Sequence, residues 1–252
     1  TYPGATLRQY DFMLRGLEET AARMRDLGIV FVLRCGDPAT EIPALVDEIQ
    51  AGAVITDFDP LRIKQSWQQA VAASITVPLI EVDGHNVVPA RQVSEKQEYA
   101  ARTIRPKIHG LIPIFLEEFP ELTPPRIAPP DLEPADWSEA RRNIMVDQSI
   151  GPVDRAPGKT AGETAGETAA RQALDEFINN GLSDYAAKRN DPNSGAVSGL
   201  SAFFHFGQLA PQRAALDVTA AGRSESVEVF LEELIIRREL ADNFCLYNPH
   251  YD

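Results

Sequence analysis

The chain has 252 residues, 24 Lys and Arg against 37 Asp and Glu, and a formal net charge of −13. That length holds one large or two ordinary domains with real cores, and a hydrophobic share of 44% is a globular composition. The acidic balance excludes steering to nucleic acid by overall charge, Cys35 and Cys245 lie too far apart for a disulfide framework, and no apolar run nears the ~20 residues of a membrane span.

In chain order, Tyr10, Met13, Leu14, Leu17, Ala21 and Met24 recur at helical spacing. IVFVL (29–33) is a short β-branched apolar run that predicts a strand, closed by Cys35-Gly36-Asp37-Pro38. Pro38 suits the first turn of a helix with Ile42, Leu45, Val46 and Ile49 on its inner face. AVITDF (53–58) predicts a second strand and VPLIEV (77–82) a third. Between them runs a helix with Ile63, Trp67, Ala70 and Val71 inward. Apolar strands separated by helices predict a doubly wound, mostly parallel α/β sheet covered on both faces. Ligands are then expected at the carboxyl ends of strands. Asp57, Asp59 and Asp83 lie at such ends. They read as ribose or metal ligands, or as residues of turns and helix caps, the commoner role.

Residues 84–110 carry Arg91, Lys96, Arg102, Arg105 and Lys107 against Glu95 and Glu98, five positive charges to two negative. This is either a solvated surface or a basic strip facing a polyanion. Residues 111–135 are dense in proline and acid and predict an extended surface linker, with Trp137 as an anchor. KTAGETAGETAARQ (159–172) repeats AGET in tandem and reads as low-complexity surface sequence. From about 169 the pattern is helical: Leu174, Phe177, Ile178, Leu182 and Tyr185 share one face, and Val227, Phe230, Leu231, Leu234 and Ile235 another. The organisation read from the sequence is therefore an α/β domain at 1–110, a proline-rich interdomain linker at 111–168, and the first part of an all-α domain at 169–252. Four histidines and two cysteines show no metal-ligand spacing, so no metal site is expected.

VSGLSAFFHFGQLAPQR (197–213) combines hydroxyls, a glycine and an aromatic run. A serine before an apolar run is a natural helix N-cap. The free N–H groups of a first helical turn, with the helix dipole behind them, also suit a phosphate. Gly199 lets a ligand approach the backbone closely. An ordinary capped core helix and a cradle for a cofactor diphosphate both fit the residues.

Longer words narrow this. DYAAKRNDP (184–192), SGLSAFFHFGQLAPQR (198–213) and FLEELIIRRELADNFCLYNPHYD (230–252) resemble the photolyase/cryptochrome family, and within it the class II cyclobutane pyrimidine dimer photolyases. RQYDFMLRGL (8–17), TDFDPLR (56–62) and DGHNVVP with KQEYAARTIRPKI (83–108) resemble the same class. Only the proline-rich linker and the AGET insertion lie outside the resemblance.

The resemblance implies light-driven, FAD-dependent splitting of pyrimidine dimers in ultraviolet-damaged DNA, by a carbon–carbon lyase. In it, the turn Ser198-Gly199-Leu200-Ser201 contacts the FAD phosphates and Tyr185 meets the same region. Arg189 lies near cofactor and substrate. Glu233 faces the dimer, where a carboxylic acid in a dry site donates a hydrogen bond to a pyrimidine carbonyl. Arg237 stands beside the lesion, and Arg238 contacts DNA. Val197 stands where many relatives carry Thr, and Ala202 where they carry Pro. A second, antenna chromophore, a deazaflavin or folate, is implied in the α/β domain without its identity being fixed. The resemblance further implies a monomer with no membrane association, cytoplasmic and nucleoid-associated, or nuclear in a eukaryote. It also implies a strand before Thr1, and flavin-contacting helices and relay tryptophans after Asp252. The sequence thus reads as an internal fragment, expected to bind FAD weakly and to be inactive alone. Two other readings remain: a cryptochrome-like flavin photoreceptor without repair activity, and a nucleotide-binding α/β module with a helical appendage.

Overall fold

The structure, a computed structural model, describes residues 4–152, 165–191 and 193–251. In chain order its elements are α1 (Leu7–Asp26), α2 (Pro38–Ile49), β1 (Val54–Asp57), α3 (Arg62–Ser74), β2 (Leu79–Val82), α4 (Ala90–Val93), α5 (Ala101–Phe115) and α6 (Trp137–Asn143). There follow α7 (Glu167–Glu176), a π turn (Phe177–Gly181), a 3-10 turn (Leu182–Asp184), α8 (Tyr185–Lys188), α9 (Ser201–His205) and α10 (Pro211–Ala220). The last helical run is α11 (Glu225–Leu231), a π turn (Glu232–Arg237) and α12 (Arg238–Tyr247). Two compact units result: Thr1–Cys35 with Pro120–Phe177 and Ser198–Leu209, and Gly36–Phe119 with Ile178–Val197 and Ala210–Asp252. Each draws on both halves of the sequence.

In the first unit α1 starts at a capping box, with the Thr6 backbone N–H and hydroxyl both donating to Gln9 Oε1. Phe12, one helical turn before Gly16, lies 5.4 Å from Phe203 and 5.5 Å from Phe206 between ring centroids. The aromatic run of the opening motif is thus core packing. Gln208 is buried and ties two elements together: Nε2 donates to the Phe12 carbonyl (2.9 Å) and Oε1 accepts from Gly166 N (2.7 Å). Gly16 lies against that amide with no room for a Cβ. Arg141 pairs with Glu18 through two bonds of 2.7 Å, and Trp137 stacks on Phe31 at 5.7 Å, the anchoring role expected of it.

IVFVL forms no strand. Residues 29–33 take no regular secondary structure and enter no ladder among the described residues. A strand exists only with a neighbour to take its N–H and C=O groups, and Phe31 finds an aromatic partner instead. The AGET pair falls partly outside the described residues; only its second copy is seen, opening α7.

In the second unit β1 and β2 pair in parallel, Val54 opposite Leu79 through Asp57 opposite Val82. The sheet has two strands among the described residues, not three, and it is not covered on both faces: Ile55 is 68% exposed, Ile80 47% and Val82 48%. Ile63, expected inward, is exposed as well. Helix α2 begins as predicted, with Asp37 accepting from Ala39 N and Pro38 at the first position. The three aspartates build turns. Asp57 Oδ1 accepts from Phe58 N and Gly84 N, Asp59 Oδ1 from Leu61 N, and Asp83 from Asn86 N and Ala90 N, all at 2.8–2.9 Å. Helix α5 runs on to Phe115 through Pro106 and Pro113, into the stretch expected to be extended. Its buried Ala101, Ile104 and Ile108 hold it despite the two lost donors.

The loop after β2 is fastened by a buried acid. Glu239 Oε1 accepts from both Val87 N (2.8 Å) and Val88 N (3.0 Å), and all three residues are buried. Burial pushes the Glu239 carboxyl up to about 8, against the opposing pull of those two N–H groups. Asn243, one turn on, accepts from Glu98 N at 2.6 Å. Glu98 moves the other way, held at about 2 chiefly by the Lys107 ammonium 2.5 Å away.

Two outcomes follow from these contacts. Gly16→Ala should cost about 1–3 kcal/mol, the usual size of overpacking, because the Gln208 bridge must move; an unchanged urea midpoint would refute that packing. Folding favours the proton on Glu239, so its contribution is complete below its ordinary value of 4.5 and is lost as pH rises through about 8. Glu239→Gln should therefore flatten the fall of unfolding free energy across that window, measured by urea titration at each pH.

Candidate functional site

The second unit gathers three of the expected site residues. Helix α8 lies against α11 and its π turn, and a buried serine holds it there. Ser226 Oγ accepts from Ala186 N (3.0 Å) and donates to the Ser183 carbonyl (3.2 Å). It caps the first turn of α8 from another helix, satisfying a donor that a helix start leaves open. The Tyr185 ring then meets Phe230 edge-on at 5.5 Å. One turn further along α8, Arg189 Nη1 reaches Glu233 Oε1 at 2.7 Å. Burial pushes the Tyr185 phenol up, with Arg189 and Glu233 the charges that act on it. Tyr185, Arg189 and Glu233 are therefore one cluster.

Glu233 does not sit in the dry apolar site expected of it. Its side chain is 38% exposed and paired with a guanidinium. The arrangement holds a carboxylate oxygen in a fixed place and leaves Arg189 with further N–H donors in the same spot.

Glu232, its neighbour, is not simply solvated. Arg105 of α5 grips it side-on, Nη2 to Oε1 at 2.6 Å and Nε to Oε2 at 3.0 Å. Arg237 Nε stands 3.6 Å from the same Oε1. Arg105 holds the Glu232 carboxyl below the usual carboxylate range, with smaller contributions from Arg237 and His109. Of the basic strip, Arg91 pairs with Glu81 and Lys107 with Glu98, so the strip is not a continuous bare surface.

Arg238 makes its hydrogen bonds within the second unit. Its Nη2 donates to the His85 carbonyl (2.7 Å) and lies 3.0 Å from His85 Nε2; Nη1 donates to Asn86 Oδ1 (3.4 Å). Burial lowers it from the ordinary guanidinium value. These contacts fasten the 85–86 loop.

Ser198, Gly199, Leu200 and Ser201 belong to the first unit. Neither serine caps α9: the N-cap position is Leu200, fully buried, with no side-chain bond. Ser198 Oγ accepts only from Leu200 N, at 3.4 Å, and Ser201 is exposed as the first helical residue. Helix α9 has five residues, too short for the macrodipole the sequence suggested. Gly199 does adopt a left-handed backbone, φ 67°, and open space lies where its Cβ would be. Among the described residues no helix is long and apolar enough to cross a membrane.

A family model described as DNA photolyase matches residues 3–125. The chain is 45% identical over 254 residues to a deoxyribodipyrimidine photo-lyase of Potorous tridactylus, covering 99% of this chain and 46% of that protein. It is 40% identical to one of Arabidopsis thaliana, covering 98% and 51%. The fold is similar to a cryptochrome of Synechocystis sp. PCC6803, with a TM-score of 0.75 at 16% identity over 96% of this chain and 51% of that one. The class the fold defines is thus that of helical chains with a small parallel sheet, and the chain belongs to the photolyase/cryptochrome family. It spans about half the length of the curated relatives it matches.

Ser226 and Arg105 escaped the sequence reading as site-building residues. Arg105 stood out only as one charge in the basic strip, and a lone serine inside an apolar helix carries no signal of the helix it caps. Ser226→Ala should destabilise the chain by about 1–3 kcal/mol, the cost of leaving a buried N–H unpaired, read as a drop in the urea midpoint.

Proposed function

We propose that this chain forms part of a deoxyribodipyrimidine photo-lyase of the class II type, which splits cyclobutane pyrimidine dimers in ultraviolet-damaged DNA with light and FAD. The observation that carries the reading is the Tyr185–Arg189–Glu233 cluster, with its 2.7 Å ion pair, on the residues that the family resemblance singles out. Relatives named for that activity match nearly the whole chain.

The residues present fit a dinucleotide cofactor at one point: Gly199 leaves open space over a left-handed backbone, flanked by two hydroxyls. Ser198, Gly199, Leu200 and Ser201 would hold the diphosphate through those hydroxyls and backbone N–H groups; Tyr185 and Arg189 of the second unit are proposed, in their own right, as cofactor-binding residues. When bound, FAD supplies photoexcited electron transfer to the dimer. Glu233, fixed by Arg189, orients the dimer through its pyrimidine edge as charge develops there. Arg237 lies lesion-side, with a fork suited to phosphate or a base face. The damaged step leaves the duplex more cheaply than an intact one.

The same proposal takes the domain boundaries as 1–110, 111–168 and 169–252, an antenna chromophore of deazaflavin or folate type in the first, and a monomer acting at the nucleoid or in the nucleus. The chain by itself is proposed to retain FAD weakly and to be inactive. The likeness to a cryptochrome is one of fold at 16% identity, so it does not favour a photoreceptor without repair.

The test is illuminated repair of a dimer-containing oligonucleotide by the whole protein in which this chain occurs. Glu233→Gln should slow dimer loss by about tenfold or more, the low end of removing one positioned electrostatic partner, with flavin absorbance retained after gel filtration. Flavin binding without light-dependent dimer loss in the unaltered protein would overturn the repair reading.

A further inference from the structure

Resting on the DNA substrate proposed above, we infer that Glu232 is a positioning residue that holds Arg105 and Arg237 together as a seat for the DNA phosphate backbone.

The geometry begins with the π turn. Arg237 follows Glu232 by five residues. On an α-helix, five residues turn the side chain about 140° away from its starting face. A turn closed by i→i+5 bonds returns it to nearly the same face, and Arg237 Nε accordingly stands 3.6 Å from Glu232 Oε1. Arg105 arrives from α5 and occupies both oxygens of the same carboxylate at 2.6 and 3.0 Å. One carboxylate therefore sets the places of two guanidinium groups from two elements.

What remains open is donor capacity. A separation of 3.6 Å is beyond hydrogen-bonding range, and Arg237 has no acceptor in the described part of the chain, so its whole fork is unspent. Arg105 uses Nε and one terminal nitrogen and keeps its other donors. Both side chains reach solvent, Arg237 at 55% and Arg105 at 38% exposure. Arg102 and His109, both exposed, lie one turn to either side of the half-buried Arg105 on α5, flanking the buried Ala101, Ile104 and Ile108. Two arginines thus flank one neutralising acid, a local excess of cation on a chain of net charge −13. A bridge serving only the fold would need one arginine for one acid. Two forks held side by side suit successive phosphates, each able to take a bidentate pair.

The experiment is equilibrium binding of fluorescently labelled duplexes, one containing a single cyclobutane dimer and one undamaged, to the whole protein across a series of salt concentrations. Glu232→Gln decides the matter, because it removes a negative charge. Charge alone predicts tighter binding; positioning predicts binding weaker by about threefold to tenfold on both duplexes, with the loss in repair falling on KM more than on kcat. Arg237→Ala, at an exposed site that does not threaten folding, should weaken both duplexes alike and lower the slope of log K against log salt by about one. Arg105→Ala should do the same, and combining it with Glu232→Gln should add little. Unchanged or tighter binding by Glu232→Gln, an unchanged salt slope for Arg237→Ala, or no DNA binding by the unaltered protein would overturn the proposal. Absence of light-driven repair alongside the Glu232→Gln affinity loss would sink the repair reading and leave the seat standing.

Discussion

The widened turn at Glu232–Arg237 is the constraint from which the second unit takes its working face. At about 100° per residue, three consecutive side chains of an α-helix fan over about 200°. Here Leu234, Ile235 and Ile236 are all buried. The wider turn, with fewer degrees per residue, narrows that arc and leaves Glu232, Glu233 and Arg237 on the less buried side. Such turns are rare and concentrate at functional sites, since their hydrogen-bond geometry is poorer than that of the α-helix. They persist where surrounding contacts over-determine them. Two such contacts are charged and come from other elements: Arg105 of α5 on Glu232 and Arg189 of α8 on Glu233.

Beyond the turn the same helix changes role. Glu239 and Asn243 point back into the unit, four residues apart and therefore on one face. They take the N–H groups of Val87, Val88 and Glu98, which belong to the chain leaving β2. A single helical run thus faces outward with two acids in its middle and inward with an acid and an amide further on. The inward acid is the costlier arrangement. A buried carboxyl is tolerated because one oxygen satisfies two backbone donors that no strand or helix would otherwise serve. Arg238 lies between these roles, and its donors go to His85 and Asn86 in the same loop.

Much of this was legible in the residues. The elements β1, β2, α2 and α3 follow from alternation, from Pro38 after Asp37 and from apolar spacing, all local signals. The turn roles of Asp57, Asp59 and Asp83 were one of two readings, and short side chains after strands carry that reading themselves. IVFVL misled because composition reports β propensity and not whether a partner strand exists. The site was legible in part. Tyr185 and Arg189 share a face of α8 by simple i,i+4 spacing. Their meeting with Glu233 depends on Ser226 clipping α8 to α11, a contact between elements that no periodicity encodes. The partnership of Glu232 with Arg237 was illegible for a sharper reason: α-helical geometry separates them, and only the π turn reverses that.

Net charge misleads for a related reason, because it sums over the chain what a polyanion meets only locally. At physiological ionic strength, exposed charges farther off than about 8 Å are largely screened. Glu117, Glu118, Glu121, Asp131, Glu133, Asp136 and Glu139 crowd one stretch of sequence and supply much of the acidic excess. Around Glu232 the tally is opposite, with Arg105 and Arg237 paired to that one acid from two helical elements of one unit. Nor is the acid there a loss to that surface. A flexible arginine must be ordered before it can grip a phosphate, at a cost of rotamer freedom. A carboxylate that already fixes the guanidinium removes that cost from the binding step, at the expense of one charge. The pairing of acid with base, which looks like neutralisation in a composition, is in this geometry a form of preorganisation.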